Sequence, residues 1–274
     1  MRTFVVLIFL FFSTFAFGSE SEKKTGLRYS LGTDLTVLTL GTLGWAGTAV
    51  FEDELAPDSC RWCDRDAPES DTLNTIDRRL RNTVHWTKEE TAQTLSDITA
   101  YALTPLLGLG LIDHFGVNAL VVMEAVVITA SLTQLVKLSV ARERPNVHFK
   151  TSRERNLETN ADRILSFPSG HTSFAFSLAA ASATVAFMQD YPSAPWILGL
   201  GLLSSSLTGY FRMAADKHYL TDVLAGAALG SFVGFSIPYF FHKPVADKSD
   251  PNRLRVSSIF TTDDGIGLRV QWLP

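Results

Sequence analysis

The sequence predicts an all-α protein: a bundle of about six helices embedded in a membrane, followed by a short C-terminal β-hairpin. An apolar segment of near-bilayer length at 29–51 is followed, from residue 98 to residue 241, by a series of further ones with short connections. None of them shows the sustained alternation of a half-buried strand. Of the 274 residues, 46% are hydrophobic and 19% charged, a balance that suits helices burying apolar surface on most sides. A net charge of −4 gives no reason to expect a nucleic-acid partner.

In chain order, Met1-Arg2, the apolar run 4–15 and Ala16-Phe17-Gly18 read as a secretory signal peptide or an uncleaved N-terminal anchor over residues 1–18. Residues 19–94 hold a first apolar helix, 29–51, interrupted by Asp34, and then most of a polar excursion, 52–96. Cys60-Arg61-Trp62-Cys63 carries both cysteines of the chain. In an exported loop the pair is a structural disulfide or free thiols; no βαβ pattern surrounds it and no second ligand pair accompanies it. Leu73, Ile76, Leu80 and Val84 recur at helical spacing with Arg78, Arg79 and Arg81 elsewhere, which fits a surface helix against either headgroups or water.

Residues 95–242 contain five further apolar segments: 98–112, 119–140, 172–188, 196–211 and 220–241. The tail, 243–274, holds the hairpin, its strands flanking Asp263-Asp264-Gly265. A hairpin of this size needs something to pack against.

If each apolar segment crosses once, connectivity gathers three clusters at one end of the bundle. Lys137 and Arg144-Pro145 follow one segment, Pro168-Ser169-Gly170-His171 opens the next, and Arg212, His218 and Asp222 lie between the last two. Charges beside apolar helix ends are costly unless they bind something, although any one cation alone reads as a snorkelling helix end. The Ser-Gly-His turn opens into a helix, whose first N–H groups and dipole favour an oxyanion. His218 and Asp222, four apart, would stack on one helix face, the carboxylate fixing the imidazole tautomer.

Lys137-x6-Arg144-Pro145, Pro168-Ser169-Gly170-His171 and Arg212-x5-His218-x3-Asp222 together resemble the three-part signature of the type 2 phosphatidic acid phosphatase superfamily. The resemblance is nearest to the membrane lipid phosphate phosphatases and extends in motif to class A acid phosphatases and vanadium haloperoxidases. One departure is Phe211, where the family usually has Ser. The resemblance implies a metal-independent phosphatase acting on lipid phosphate monoesters or pyrophosphates through a phosphohistidine intermediate, with no cofactor. It casts His218 as nucleophile, Asp222 as its orienting group and His171 as acid and base. Lys137, Arg144, Ser169, Gly170 and Arg212 become the phosphate cradle. It also implies an inner-membrane protein with membrane lipids around it and the site on the periplasmic face. The alternatives are a soluble periplasmic acid phosphatase, a vanadate-dependent haloperoxidase, or a binding protein with a vestigial site. Oligomeric state and the identity of the lipid are not encoded in these motifs.

Overall fold

The computed structural model describes residues 26–65, 70–109 and 115–244, and the backbone of two C-terminal strands. The expected signal peptide lies outside the described residues. The protein is predominantly helical. Helix α1 (Leu31–Val50) is followed by the single turn α2 (Glu52–Leu55), by α3 (Thr75–Val84) and by α4 (Glu89–Ile98). α4 runs through a π-helical turn, Thr99–Leu103, into α5 (Thr104–Leu109). Then come α6 (Phe115–Val140), the short α7 (Pro145–His148) and α8 (Ser152–Arg155), and a 3-10 turn, Ala161–Ile164. The last long helices are α9 (Gly170–Met188), α10 (Ala194–Ala214) and α11 (Leu220–Phe241). Strands β1 (Leu254–Thr262) and β2 (Gly265–Trp272) pair antiparallel.

α9 is the central helix, packed against α6, α10 and α11. Its composition, mostly Ala, Ser, Thr and Phe, explains why: small side chains let neighbouring backbones approach closely, the usual way helices associate where no water drives them together. The α11 contact is the tightest. A Cβ at Gly226, Gly230 or Gly234 would lie 2.6, 2.2 or 2.4 Å from the carbonyl oxygens of Ser169, Ser173 and Ser177. Three glycines four apart thus seat α11 on three serines four apart, and the first of those serines heads the Ser-Gly-His turn. Val121, Val122, Val126 and Val127 of α6 pack with Leu178 and Ile197 in the main core.

Outward faces are apolar as well. Leu135, Leu203, Leu224, Phe232, Tyr239, Phe240 and Phe241 are all exposed. In water each such side chain would forgo roughly 1.5–3 kcal/mol of burial, whereas a hydrocarbon surrounding removes the penalty. Gly116–Val140, Gly170–Met188 and Leu220–Phe241 are each long and apolar enough to cross a membrane. Only a third of the last is buried within the protein, so most residues of α11 are at least partly open to the surroundings.

Two expectations change. The segment expected from Ile98 begins nine residues earlier, at Glu89, because α4 and the π turn form one continuous rod. On α3, Ile76 is exposed while Leu80 and Val84 are half-buried, Leu73 just before the helix is buried, and Asp77 is enclosed, so a carboxylate turns inward beside the apolar residues. Asp77 is worth burying because it is saturated with donors: Asn74 Nδ2, the Thr221 N–H and hydroxyl, and Arg142.

Candidate active site

The ends of α6, α9, α10 and α11 meet where connectivity places them. α6 stops one turn after Lys137 because Ala141 adopts a left-handed φ of 47°, a conformation costing an L-residue about 1–2 kcal/mol. The loop closed by the Cys60–Cys63 disulfide holds that turn: the N–H groups of Arg61 and Trp62 donate to the Ala141 carbonyl, and Glu143 N–H donates to Trp62 O. The chain reversal sends Arg142 and Arg144 inward.

Arg144 is held on three sides. Its Nε and Nη2 donate to the backbone oxygen and Oδ1 of Asp162, both at 2.6 Å, and Nη1 donates to Lys217 O at 3.0 Å. The same Nη1 lies 3.4 Å from His218 Nε2. Lys137 reaches over the first turn of α9, where a Cβ on Gly170 would meet its Nζ at 3.7 Å. Arg212, in the last turn of α10, is buried with no partner for Nε among the described residues. Asp162 lies within the field of all three cations. Burial opposes its ionisation, yet Arg144, Lys137 and Arg212 hold its carboxyl well below the ordinary carboxylate range.

His218 is enclosed. Burial, reinforced by Arg144, Arg212 and Lys137, drives its imidazole well below the ordinary histidine range, so the ring is neutral at physiological pH. Its Nδ1 is 3.7 Å from Asp222 Oδ2, too far for a hydrogen bond, and 3.5 Å from Ser166 Oγ. Ser166 Oγ in turn donates to Asp222 Oδ2 at 2.6 Å. The expected direct pair on one helix face is therefore corrected. His218 precedes α11, and Asp222, in its first turn, accepts the Tyr219 N–H at 2.9 Å, as a carboxylate at a helix start should. Ser166 bridges the gap. Because its single proton goes to Asp222, it can only accept from His218 Nδ1–H, which leaves the Nε2 lone pair facing the cations.

The other Asp222 oxygen accepts from Arg142 Nη1 at 2.6 Å. Arg142 is wholly enclosed, its guanidinium also bonded to Asp64 and Asp77 and lying 4.0 and 4.1 Å from the ring centroids of Trp62 and Tyr219. On the other side of the site, His171 Nε2 pairs with Asp97 Oδ1 at 2.9 Å, and Tyr101 from the π turn packs on the imidazole at 5.0 Å. Ser169 is placed at the N-cap of α9, but its hydroxyl bonds Thr172 Oγ1 rather than a backbone N–H.

All eight expected residues therefore fall in one neighbourhood. Sequence reasoning missed Ser166, Arg142, Asp97 and Asp162. Arg142 and Ser166 lie within three residues of recognised motif positions, a proximity that signals nothing until the fold turns them inward. Asp97 is 74 residues from its partner His171, with no spacing to mark it.

Residues 118–245 match the model of the PAP2 superfamily. The chain is 41% identical over 69 residues to the lipid A 1-phosphatase of Porphyromonas gingivalis, covering 25% of this chain and 15% of that protein. It is 30% identical over 146 residues to "Probable lipid phosphate phosphatase 4" of Arabidopsis thaliana, covering 43% of this chain and 46% of that one. The matches thus span less than half the length of these relatives. Among solved structures, a transmembrane PAP2-type phosphatidylglycerolphosphate phosphatase from Bacillus subtilis aligns with 76% of this chain and 94% of its own, at TM-score 0.45 and 18% identity.

Proposed function

We propose that this chain, whose residues 118–245 match the PAP2 superfamily, is a membrane phosphatase hydrolysing lipid phosphate monoesters or pyrophosphates without a metal. The observation that carries this is a neutral, buried His218 whose Nε2 faces Arg144, with Lys137 and Arg212 close enough to depress its basicity further. Three cations and the N-terminus of α9 form a cradle for the equatorial oxygens of a phosphoryl group, where most catalysis of phosphoryl transfer resides.

In this reading, His218 Nε2 attacks phosphorus and the P–O bond to the lipid breaks. His171 gives its proton to the departing oxygen. His171 then takes a proton from water, whose oxygen attacks the phosphorus of phospho-His218. The P–N bond breaks and inorganic phosphate leaves. Asp97, bonded to His171 Nε2, keeps that ring oriented and leaves Nδ1 for proton exchange. Leu135 and Leu224, each two residues from a site residue (Lys137 and Asp222), are exposed, which suits a substrate whose tails stay in the bilayer. We place six membrane-embedded segments around it, with the site on the periplasmic side of the inner membrane.

The test is phosphate release in detergent, with EDTA present, from short-chain phosphatidate, phosphatidylglycerophosphate, an isoprenyl diphosphate and p-nitrophenyl phosphate. Lipid-selective release that disappears in His218→Ala supports the reading. Release only from the soluble ester, or activity abolished by EDTA below the unfolding temperature and restored by a divalent ion, refutes it.

A further inference from the structure

A second polar cluster lies at the far end of the bundle. Glu124 sits on α6 thirteen residues before Lys137, roughly 20 Å away at helical rise. Beside it are Asp34, in the first turn of α1, and His242, directly after α11. All three are buried, and each offers a ligand atom within 4.8 Å of the others. His242 Nε2 lies 2.9 Å from Glu124 Oε2, and its Nδ1 lies 3.1 Å from the Arg28 carbonyl. Asp34 Oδ2 accepts the Ser30 N–H at 2.9 Å. The other oxygen of Glu124, Oε1, is buried without a partner among the described residues.

Three features leave this cluster incomplete as protein alone. An orphaned carboxylate oxygen within an apolar bundle is costly, more so in a membrane. The Arg28 carbonyl can only accept, so His242 Nδ1 carries a proton, and with an ion bound the neutral ring would aim its Nε2 lone pair at the metal between the carboxylates. Metal-bound imidazoles are oriented in this way, by a backbone carbonyl on the other nitrogen. Two acceptors facing each other at 2.9 Å attract only through a shared cation. A single proton there still leaves two carboxylates against one positive ring, and among the described residues no Lys or Arg pairs with Glu124. A divalent ion with a neutral imidazole balances the charge.

We infer that Asp34, Glu124 and His242 bind a divalent transition-metal ion, zinc or manganese by their one-nitrogen, two-carboxylate donor set, separate from the phosphate site. The ion would be structural. Residues 27–28 meet residues 243–244 here through the Arg28 N–H to Lys243 O bond and the Leu27–Pro244 bridge. Both chain segments would thus be fastened to α6.

The experiment uses the full chain purified in detergent on a tag without histidines. Metal content is measured after exchange into metal-free buffer at pH 7.5, followed by thermal unfolding with added ZnCl2 or MnCl2. We expect about one ion per chain, carried through purification or taken up on titration. Tm should rise by roughly 5–10 °C with the ion at 100 times its Kd. Glu124→Gln and Asp34→Asn should each abolish uptake and the Tm rise. Phosphate release by Glu124→Gln, assayed below its Tm, should equal that of the wild type, because Glu124 is remote from His218. EDTA should lower Tm without stopping turnover below it. His242→Ala serves as a third variant where it folds. Absence of uptake by the wild type overturns the proposal; a Tm that then rises as the pH falls identifies protons as what closes the cluster. Uptake that survives Glu124→Gln places the ion elsewhere and overturns it equally.

Discussion

Replacing Ser166 by Ala removes one hydroxyl from the centre of the site and tests how Asp222 reaches His218. The hydroxyl is fully buried, donates to Asp222 Oδ2 at 2.6 Å and stands 3.5 Å from His218 Nδ1, whereas the two titratable side chains are themselves 3.7 Å apart. A hydrogen bond to a charged partner contributes about 1.5–3 kcal/mol. If that stabilisation is drawn on when His218 becomes a cation-like phosphohistidine, kcat should fall by roughly 10- to 150-fold at about 1.4 kcal/mol per decade. KM should change little, since Ser166 does not face the cradle. The assay is phosphate release from short-chain phosphatidate at several substrate concentrations, with Tm measured alongside to show that the fold survives. A double-mutant cycle with Asp222→Asn adds the decisive comparison: acting in series, the two changes together should cost little more than Asp222→Asn alone. A kcat within twofold of wild type, or additive losses, would refute the relay and mean that Asp222 acts on His218 directly.

Arg142→Met should lower stability by about 3–5 kcal/mol and abolish turnover, because Asp64, Asp77 and Asp222 lose their shared guanidinium; unfolding in detergent checks it, and a Tm unchanged from wild type would contradict it. Gly230→Ala sets a Cβ 2.2 Å from Ser173 O, whereas Gly199→Ala meets nothing within 4 Å. The first should cut both Tm and kcat and the second should leave Tm equal or slightly higher, which parallel thermal and kinetic measurements will show. Burial and the neighbouring cations depress the pKa of His218, so the acid limb of kcat/KM, corrected for the substrate's second ionisation, should lie below the unperturbed value near 6.5. By linkage, the same group contributes stability that is present above about pH 6.5 and is lost as the pH falls from there toward the folded value. A limb at or above 6.5 would count against a neutral nucleophile.

The candidate site was legible in the chain because its residues recur at short spacings. Gly170 opens α9 beside Lys137, Arg144 follows α6, and His218 precedes the helix that carries Asp222. The helices themselves were legible because apolar runs of that length and period have few other uses. Their ends were less so: α4 begins in polar sequence, and a left-handed alanine, not a glycine or proline, stops α6. On α3 the apolar spacing was legible, but not the buried Asp77 beside it, whose donors Arg142 and Thr221 come from distant segments.

The sequence by itself therefore determined a predominantly helical, apolar chain with Lys137, Arg144, Arg212 and two histidines at one bundle end. Spacing within a motif and the period of a helix are local properties of the chain. Only the tertiary structure decided that Ser166 stands between His218 and Asp222, that Arg142 ties Asp222 to Asp64 and Asp77, and that Asp97 orients His171. It alone also set Asp34 and His242 against Glu124. These are contacts between segments 52 to 118 residues apart, chosen by packing such as the glycine stripe of α11 on the serines of α9, and no local pattern encodes which distant side chain completes a buried charge.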